Sequence, residues 1–362
     1  MYRKSRSSAL TCVALATSAL SISCGNSGGA GSQTSSGGAS STAGTTGAGG
    51  TTGNAGTTGA SGAVGSGGGN TAGAGGTSGG MAGNNGAGGD PGSGGMAGTG
   101  AAGAPGMSTG CGKAAGLTSG RASIDVNGKM REYILRVPDN YDQSHPYKLI
   151  FGWHPWGGSA QQTEQMGYFD LEDVSDNQAI LVAPEGQDYQ GKGLGWGNAG
   201  GEDIDFLHEM VDSFSSELCV DPDRIFSTGF SFGAMFSFTL ACTEMSMMRA
   251  IAPMAGNTFT SGGCEDSTRP VATMSFIGTD DTLLDGHRDA VQVFVERNGC
   301  TTETMPVAPS WCDGLNAEFL PCSCVQYQGC TVGYPVIECE YLAGHRFAPD
   351  SGQTLWDFFS QF

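Results

Sequence analysis

Aromatic side chains are missing altogether from residues 25–109, and a single charge, Asp90, interrupts that stretch. Glycine fills 34 of its 85 positions, and Ser, Thr, Ala and Asn most of the rest. With so little to bury, the stretch cannot offset the entropy lost on ordering, which excludes a packed domain and leaves a flexible tether. Its root-mean-square reach is on the order of 50 Å. The glycines keep no three-residue period, which excludes a collagen triple helix. Basic residues are the second shortage. The chain has 16 Lys and Arg against 35 Asp and Glu, and residues 110–362 hold 13 and 34 of these, a net charge of −21 against +2 for residues 1–109. Such a field repels polyanions, so nucleic acid is excluded as a partner. A third absence concerns metals: no Cys-x-x-Cys pair is followed by a matching second pair, so neither a structural zinc site nor any other cofactor is expected.

What is present begins with a leader. Residues 1–23 set basic Arg3, Lys4 and Arg6 ahead of an apolar run, residues 9–22, too short to be a stable membrane span, which is the form of a secretory signal. The run ends in Ser21-Ile-Ser-Cys24-Gly and resembles a lipoprotein signal, in which the cysteine becomes the lipidated first residue; Ser21 stands where such signals usually carry leucine. Export is expected, with Cys24 as a lipidation site and the membrane a partner only through that anchor. Of twelve cysteines, Cys12 lies in the leader and Cys24 at the lipid site, so ten remain. An even number in an exported chain reads as disulfides.

The expected division is therefore a signal at 1–23, a disordered linker at 24–109 and one catalytic domain at 110–362. Residues 121–126 and 129–137 flank Asn127-Gly128 and read as a tight β-hairpin. Apolar runs at 147–153, 179–183, 249–254, 271–277 and 334–341 read as buried strands, and residues 202–218, 289–297 and 354–362 as helices. Strands that are apolar throughout and alternate with helices imply a mainly parallel sheet covered on both faces, an α/β fold.

One stretch gives that fold its chemistry. Residues 224–228 form an apolar strand that runs into Gly229-Phe230-Ser231-Phe232-Gly233, and an apolar helix follows at 234–241. That is the strand, sharp turn and helix of a G-x-S-x-G nucleophile elbow, the mark of an α/β-hydrolase. Ser231 would sit exposed at a helix N-terminus, where the helix dipole favours developing negative charge. In this fold the acid and then the histidine follow the serine along the chain. His345, in the glycine-bent Tyr341-Leu-Ala-Gly-His345, is the candidate base, in preference to His287, which lies six residues past the best acid candidate. The acid falls in the loop at 278–285, with Asp281 preferred to Asp280, although aspartates in such loops often serve only as turn formers. An oxyanion hole needs two donors. The N–H of Phe232 is one. The other comes from His154-Pro155-Trp156-Gly157-Gly158, where proline has no N–H and Trp156 is the candidate donor, with His154 structural.

Taken jointly, Ile150-Phe-Gly-Trp-His154-Pro-Trp-Gly-Gly158, Gly195-Trp-Gly-Asn198, Gly200-Gly-Glu-Asp-Ile-Asp-Phe206, Glu217-Leu-Cys-Val-Asp221, the elbow itself and Leu240-Ala-Cys242 resemble the secreted feruloyl esterases and their relatives, the acetylxylan esterases and extracellular polyhydroxybutyrate depolymerases. The resemblance runs from about Arg121 to the C-terminus and implies Ser231, Asp281 and His345 as nucleophile, acid and base. It implies an ester substrate, plant cell-wall polysaccharide or a polyester, and a monomer. His154-Pro155, where many relatives have His-Gly, departs from the family, and residues 310–324, with Cys312, Cys322 and Cys324, have no counterpart in it. Those residues either rim the cleft or brace the last strand, and bracing is the favoured reading. The alternative of another class is an idle surface-displayed binding domain. One disulfide is expected between Cys219 and Cys242, each at the end of a helix flanking the nucleophile strand.

Overall fold

The computed structural model describes residues 106–258, 264, 268–308 and 310–362. The expected leader, Cys24 and the linker as far as residue 105 lie outside the described residues. The chain opens with a hairpin, β1 (Gly120–Val126) and β2 (Lys129–Arg136), whose turn residues Asn127 and Gly128 take φ of 54° and 83°. Asn and Gly tolerate that left-handed backbone, so the turn is short and the strands stay in register. Then come β3 (Tyr147–Trp153), α1 (Ala160–Gln165), α2 (Gly167–Val174), β4 (Ala179–Pro184) and the small ribbon β5 (Gln187–Asp188) and β6 (Leu194–Gly195). The middle of the chain is α3 (Glu202–Glu217), β7 (Val220–Phe230), α4 (Phe232–Thr243) and β8 (Met248–Met254). The last part is β9 (Ala272–Gly278), α5 (Leu284–Arg297), β10 (Thr304–Pro306), β11 (Cys322–Tyr327), β12 (Val336–Tyr341) and α6 (Gly352–Phe359).

Ten strands form one sheet in the order β1-β2-β4-β3-β7-β8-β9-β12-β11-β10. The run from β4 to β12 is parallel, and the antiparallel pairs lie at the two edges. Strand alternation divides the core into two layers. Leu149, Phe151 and Ile251 pack with Phe206, Phe214, Phe238 and Phe294 of α3, α4 and α5. Ile150, Phe226 and Phe276 pack with Phe169, Leu355 and Phe359 of α2 and α6. Full burial of each such side chain contributes about 1.5–3 kcal/mol, so both layers are needed to hold the sheet flat against its helices. No helix among the described residues is long and apolar enough to cross a membrane.

Two expectations need correction. Ordered chain reaches further toward the N-terminus than residue 110: Gly106 N–H donates to Asp221, Ser108 N–H to the Val220 carbonyl and Gly110 N–H to the Ser215 carbonyl. Residues 106–109 thus belong to the domain rather than the linker. The Cys219–Cys242 disulfide is not formed; Cys219 pairs with Cys111, and Cys242 with Cys264. The reason is direction. Cys219 has already left α3, its carbonyl accepts from Tyr147 and its N–H donates to the Tyr141 hydroxyl, so it faces the N-terminal segment. Cys242 turns the opposite way, toward α5, where Arg297 donates to the neighbouring Ala241 carbonyl and contacts both Cys242 and Cys264 sulfurs. The remaining pairs are Cys300–Cys330, Cys312–Cys322 and Cys324–Cys339, so all ten cysteines beyond Cys24 are joined. The end of the 310–324 stretch lies along the last strand: β11 pairs with β12 from Cys322 onward and places Cys324 opposite Cys339.

Candidate active site

Ser231 sits between the end of β7 and the first residue of α4 with φ 57° and ψ −115°, a backbone that side-chain-bearing residues rarely adopt. Crowding on both sides holds it there. A Cβ on Gly229 would stand 2.7 Å from Gly233 and 2.8 Å from the Trp153 carbonyl, and one on Gly233 would overlap that carbonyl. Only glycine lets strand, turn and helix close this tightly. The Ser231 N–H donates to the Met254 carbonyl of the neighbouring strand (2.9 Å), which ties the turn to β8.

The candidate acid and base follow the strands β9 and β12. β9 and β12 lie side by side, and their pairing continues past the strand ends: Thr279 N–H donates to Tyr341 and Asp280 N–H to Ala343. This brings the Asp281 loop against the loop that carries His345. His345 Nδ1 lies 2.8 Å from Asp281 Oδ2, and its Nε2 lies 2.7 Å from Ser231 Oγ. Asp281 is buried, and its other oxygen accepts the Leu283 N–H (2.9 Å). A carboxylate so placed accepts the Nδ1 proton, which leaves Nε2 to accept the Ser231 hydroxyl. Asp280, the alternative, is exposed and reaches His345 only through its main chain's bond to Ala343.

The donor loop is also fixed. His154 is fully buried; its Nδ1 bonds the Pro155 carbonyl (2.7 Å), and its Nε2 accepts the Gly186 N–H (2.9 Å). Burial pushes the imidazole down to about 4, so it stays neutral and holds a single tautomer. In the same loop Gly157 N–H donates to Leu194 and Gly158 N–H to Pro155. Among the described residues, the main-chain N–H groups of Trp156 and Phe232 find no acceptor. His287, the other histidine beyond Ser231, is buried in α5 with Nδ1 on the Gly256 carbonyl (2.6 Å), and burial takes it to about 4 as well.

The aromatic packing around the candidate triad is legible only in three dimensions. Phe230 stacks on the His345 ring at 5.1 Å and meets Phe347 edge-on, and Phe347 in turn stacks on Phe169. On the other flank Trp156, Tyr189 and Phe232 form a second aromatic group, with centroids 5.2–6.4 Å apart. Ser231 lies in sequence between a member of each.

No protein-family model matches the chain. Feruloyl esterase D of Neurospora crassa is 36% identical to it over 276 residues, which cover 70% of this chain and 90% of the relative. The chain belongs to the feruloyl esterase family. Feruloyl esterase C of Emericella nidulans is 34% identical over 265 residues, with the same coverage of both chains. Among solved structures, an acetyl xylan esterase from Aspergillus awamori superposes with a TM-score of 0.50 at 15% identity, over 66% of this chain and 98% of that one, a likeness of α/β-hydrolase fold. Membership makes the protein a carboxylic ester hydrolase, and the reading of it as an idle binding domain gives way.

Proposed function

We propose that this esterase hydrolyses feruloyl or acetyl esters of plant polysaccharide through an acyl-enzyme on Ser231. The observation that carries the reading is His345, hydrogen-bonded at one nitrogen to Ser231 and at the other to Asp281. Ser231 Oγ attacks the ester carbonyl carbon while His345 Nε2 takes its proton. The carbonyl oxygen becomes an oxyanion that the unengaged N–H groups of Trp156 and Phe232 receive. The intermediate collapses, the alcohol leaves with the proton from Nε2, and the acyl group stays on Ser231. Water then repeats the sequence with His345 as base and releases the acid. Asp281 holds the imidazole's direction and stabilises its charge.

Acyl preference rests on two supports: the names of the relatives and the two aromatic groups beside Ser231, whose faces suit a planar aryl acid. Rates on methyl ferulate, acetylated xylan and a polyhydroxybutyrate film test it directly. Release of ferulate or acetate at rates well above polyester release is expected, and a polyester-only enzyme would overturn the assignment.

Export belongs to the same reading. All ten cysteines beyond Cys24 are paired, as suits an oxidising compartment, and residues 1–23 have the composition of a secretory signal. Cys24 then carries the lipid, the glycine-rich segment that follows serves as spacer, and the domain works as a monomer. Detergent should be needed to release the native protein from membranes, and a Cys24→Ser protein should be free of them; wild-type protein found wholly in the medium would remove the anchor.

A further inference from the structure

Nothing in the acyl transfer calls for residues 310–322, yet they hold the main chain on both sides of His345. Beyond β12 the chain passes through residues 342–351 before entering α6. Leu342 N–H donates to the Phe319 and Pro321 carbonyls (3.0 and 3.1 Å). The Arg346 carbonyl accepts the Tyr341 hydroxyl (2.6 Å), and the Pro349 carbonyl accepts the Trp311 indole N–H (2.8 Å). These contacts fall three residues before His345, one after it and four after it.

The residues that make these contacts are themselves fixed. Trp311 is buried and stands edge-on to Phe276 and Tyr341, both at 5.1 Å. Phe319 packs against Tyr341 and lies under the Arg346 guanidinium at 5.0 Å. At the start of the segment Ser310 and Asp313 cap each other's main chain, and Cys312–Cys322 closes the loop. Cys324–Cys339 then joins β11 to β12 two residues before Tyr341. Asp281 fixes only one nitrogen of the imidazole, and a hydrogen bond of that kind does not by itself hold a ten-residue loop. A displacement of about 1 Å at a catalytic group can cost about 10²-fold in rate.

We propose that residues 310–322 are a positioning clamp for His345, with Trp311 as its principal contact, an inference that rests on His345 being the base. Trp311→Phe keeps a six-membered aromatic ring but removes the indole N–H together with the volume of the five-membered ring; Trp311→Ala removes the whole aromatic system. Relative to wild type, kcat on a soluble aryl ester should fall roughly tenfold in Trp311→Phe and about 10²-fold in Trp311→Ala, with KM little changed. The rate at which a fluorophosphonate labels Ser231 should fall in parallel, while the labelled fraction still reaches one per folded chain. A Cys312→Ser/Cys322→Ser double variant should move the same quantities in the same direction. A brace that served stability alone would lower the melting temperature and leave kcat and labelling rate untouched. If Trp311→Ala does not fold, the Phe and double-serine variants decide, and kcat within twofold of wild type in both overturns the clamp. Wild-type protein labelled elsewhere than Ser231 overturns the nucleophile reading and the clamp with it; labelling at Ser231 with unchanged Trp311 variants overturns the clamp alone.

Discussion

Ser231 and His345, the proposed nucleophile and base, are held by two different kinds of structure. Around Ser231 the constraint is local and made of backbone: two glycines, a strained turn, and the Trp153 carbonyl pressed against the start of α4. Around His345 the constraint is assembled from distant parts of the chain. Asp281 comes from 64 residues away, Phe230 stacks from the nucleophile strand, and Trp311 and Phe319 hold the loop from an insertion closed by a disulfide. A tight turn fixes its residue through sterics that allow no alternative. A loop fixed by side chains can move by fractions of an ångström when any one of them changes.

The contrast sets the order of effects that substitutions should have. Ser231→Ala should lower turnover by several orders of magnitude, on the order of 10⁶-fold, in a protein that folds normally by circular dichroism. Gly233→Ala should be nearly as severe but for another reason, because its Cβ cannot coexist with the Trp153 carbonyl; loss of folded protein should accompany loss of activity. Asp281→Ala comes next, with a loss of about 10⁴-fold in kcat, while Asp280→Ala, whose exposed side chain leaves the imidazole untouched, should stay close to wild type. A dead Asp280→Ala enzyme beside an active Asp281→Ala enzyme would reverse the assignment of the acid.

Smaller effects concern the frame rather than the chemistry. Cys111–Cys219 spans 108 residues of sequence, and on the chain-entropy model such a loop contributes about 4–5 kcal/mol. A Cys111→Ser/Cys219→Ser protein should therefore melt far earlier in denaturant while its folded fraction keeps wild-type kcat. The pH dependence of stability should carry the mark of His154 and His287. Burial holds both near 4, against 6.5 for an ordinary histidine, so between those values the unfolded chain binds protons that the folded one refuses. Stability is thus fully present above about pH 6.5 and is lost as pH falls toward 4, by at most about 1.4 kcal/mol per pH unit for each histidine. Urea midpoints measured from pH 7 to pH 4 check this, and a flat profile would contradict it.

Legibility in the sequence follows the same division. The elbow could be read because its constraints are written in consecutive residues, and the strands β3, β4, β8 and β9 because burial on both faces makes them largely apolar. His345 and the Asp281 loop followed from chain order. The disulfide partner of Cys219 could not be read: helix ends locate a cysteine at one end of the sheet but not the direction in which it points, and Cys111 lay beside a segment taken for linker. Trp311 and Phe319 carry no spacing signal at all, since an aromatic residue in a loop is ordinary until the fold sets it near a histidine, and the elbow motif that contains Phe230 does not say which ring it stacks on.

The most direct test traps the acyl-enzyme. A short-chain or feruloyl aryl ester is mixed with enzyme, quenched in acid within milliseconds and digested, and the acylated peptide is located by mass spectrometry. The account predicts a burst approaching one alcohol per chain, with the acyl group on Ser231, and a burst slowed by orders of magnitude in His345→Ala. An acyl group on another residue, or a burst indifferent to His345, would contradict it.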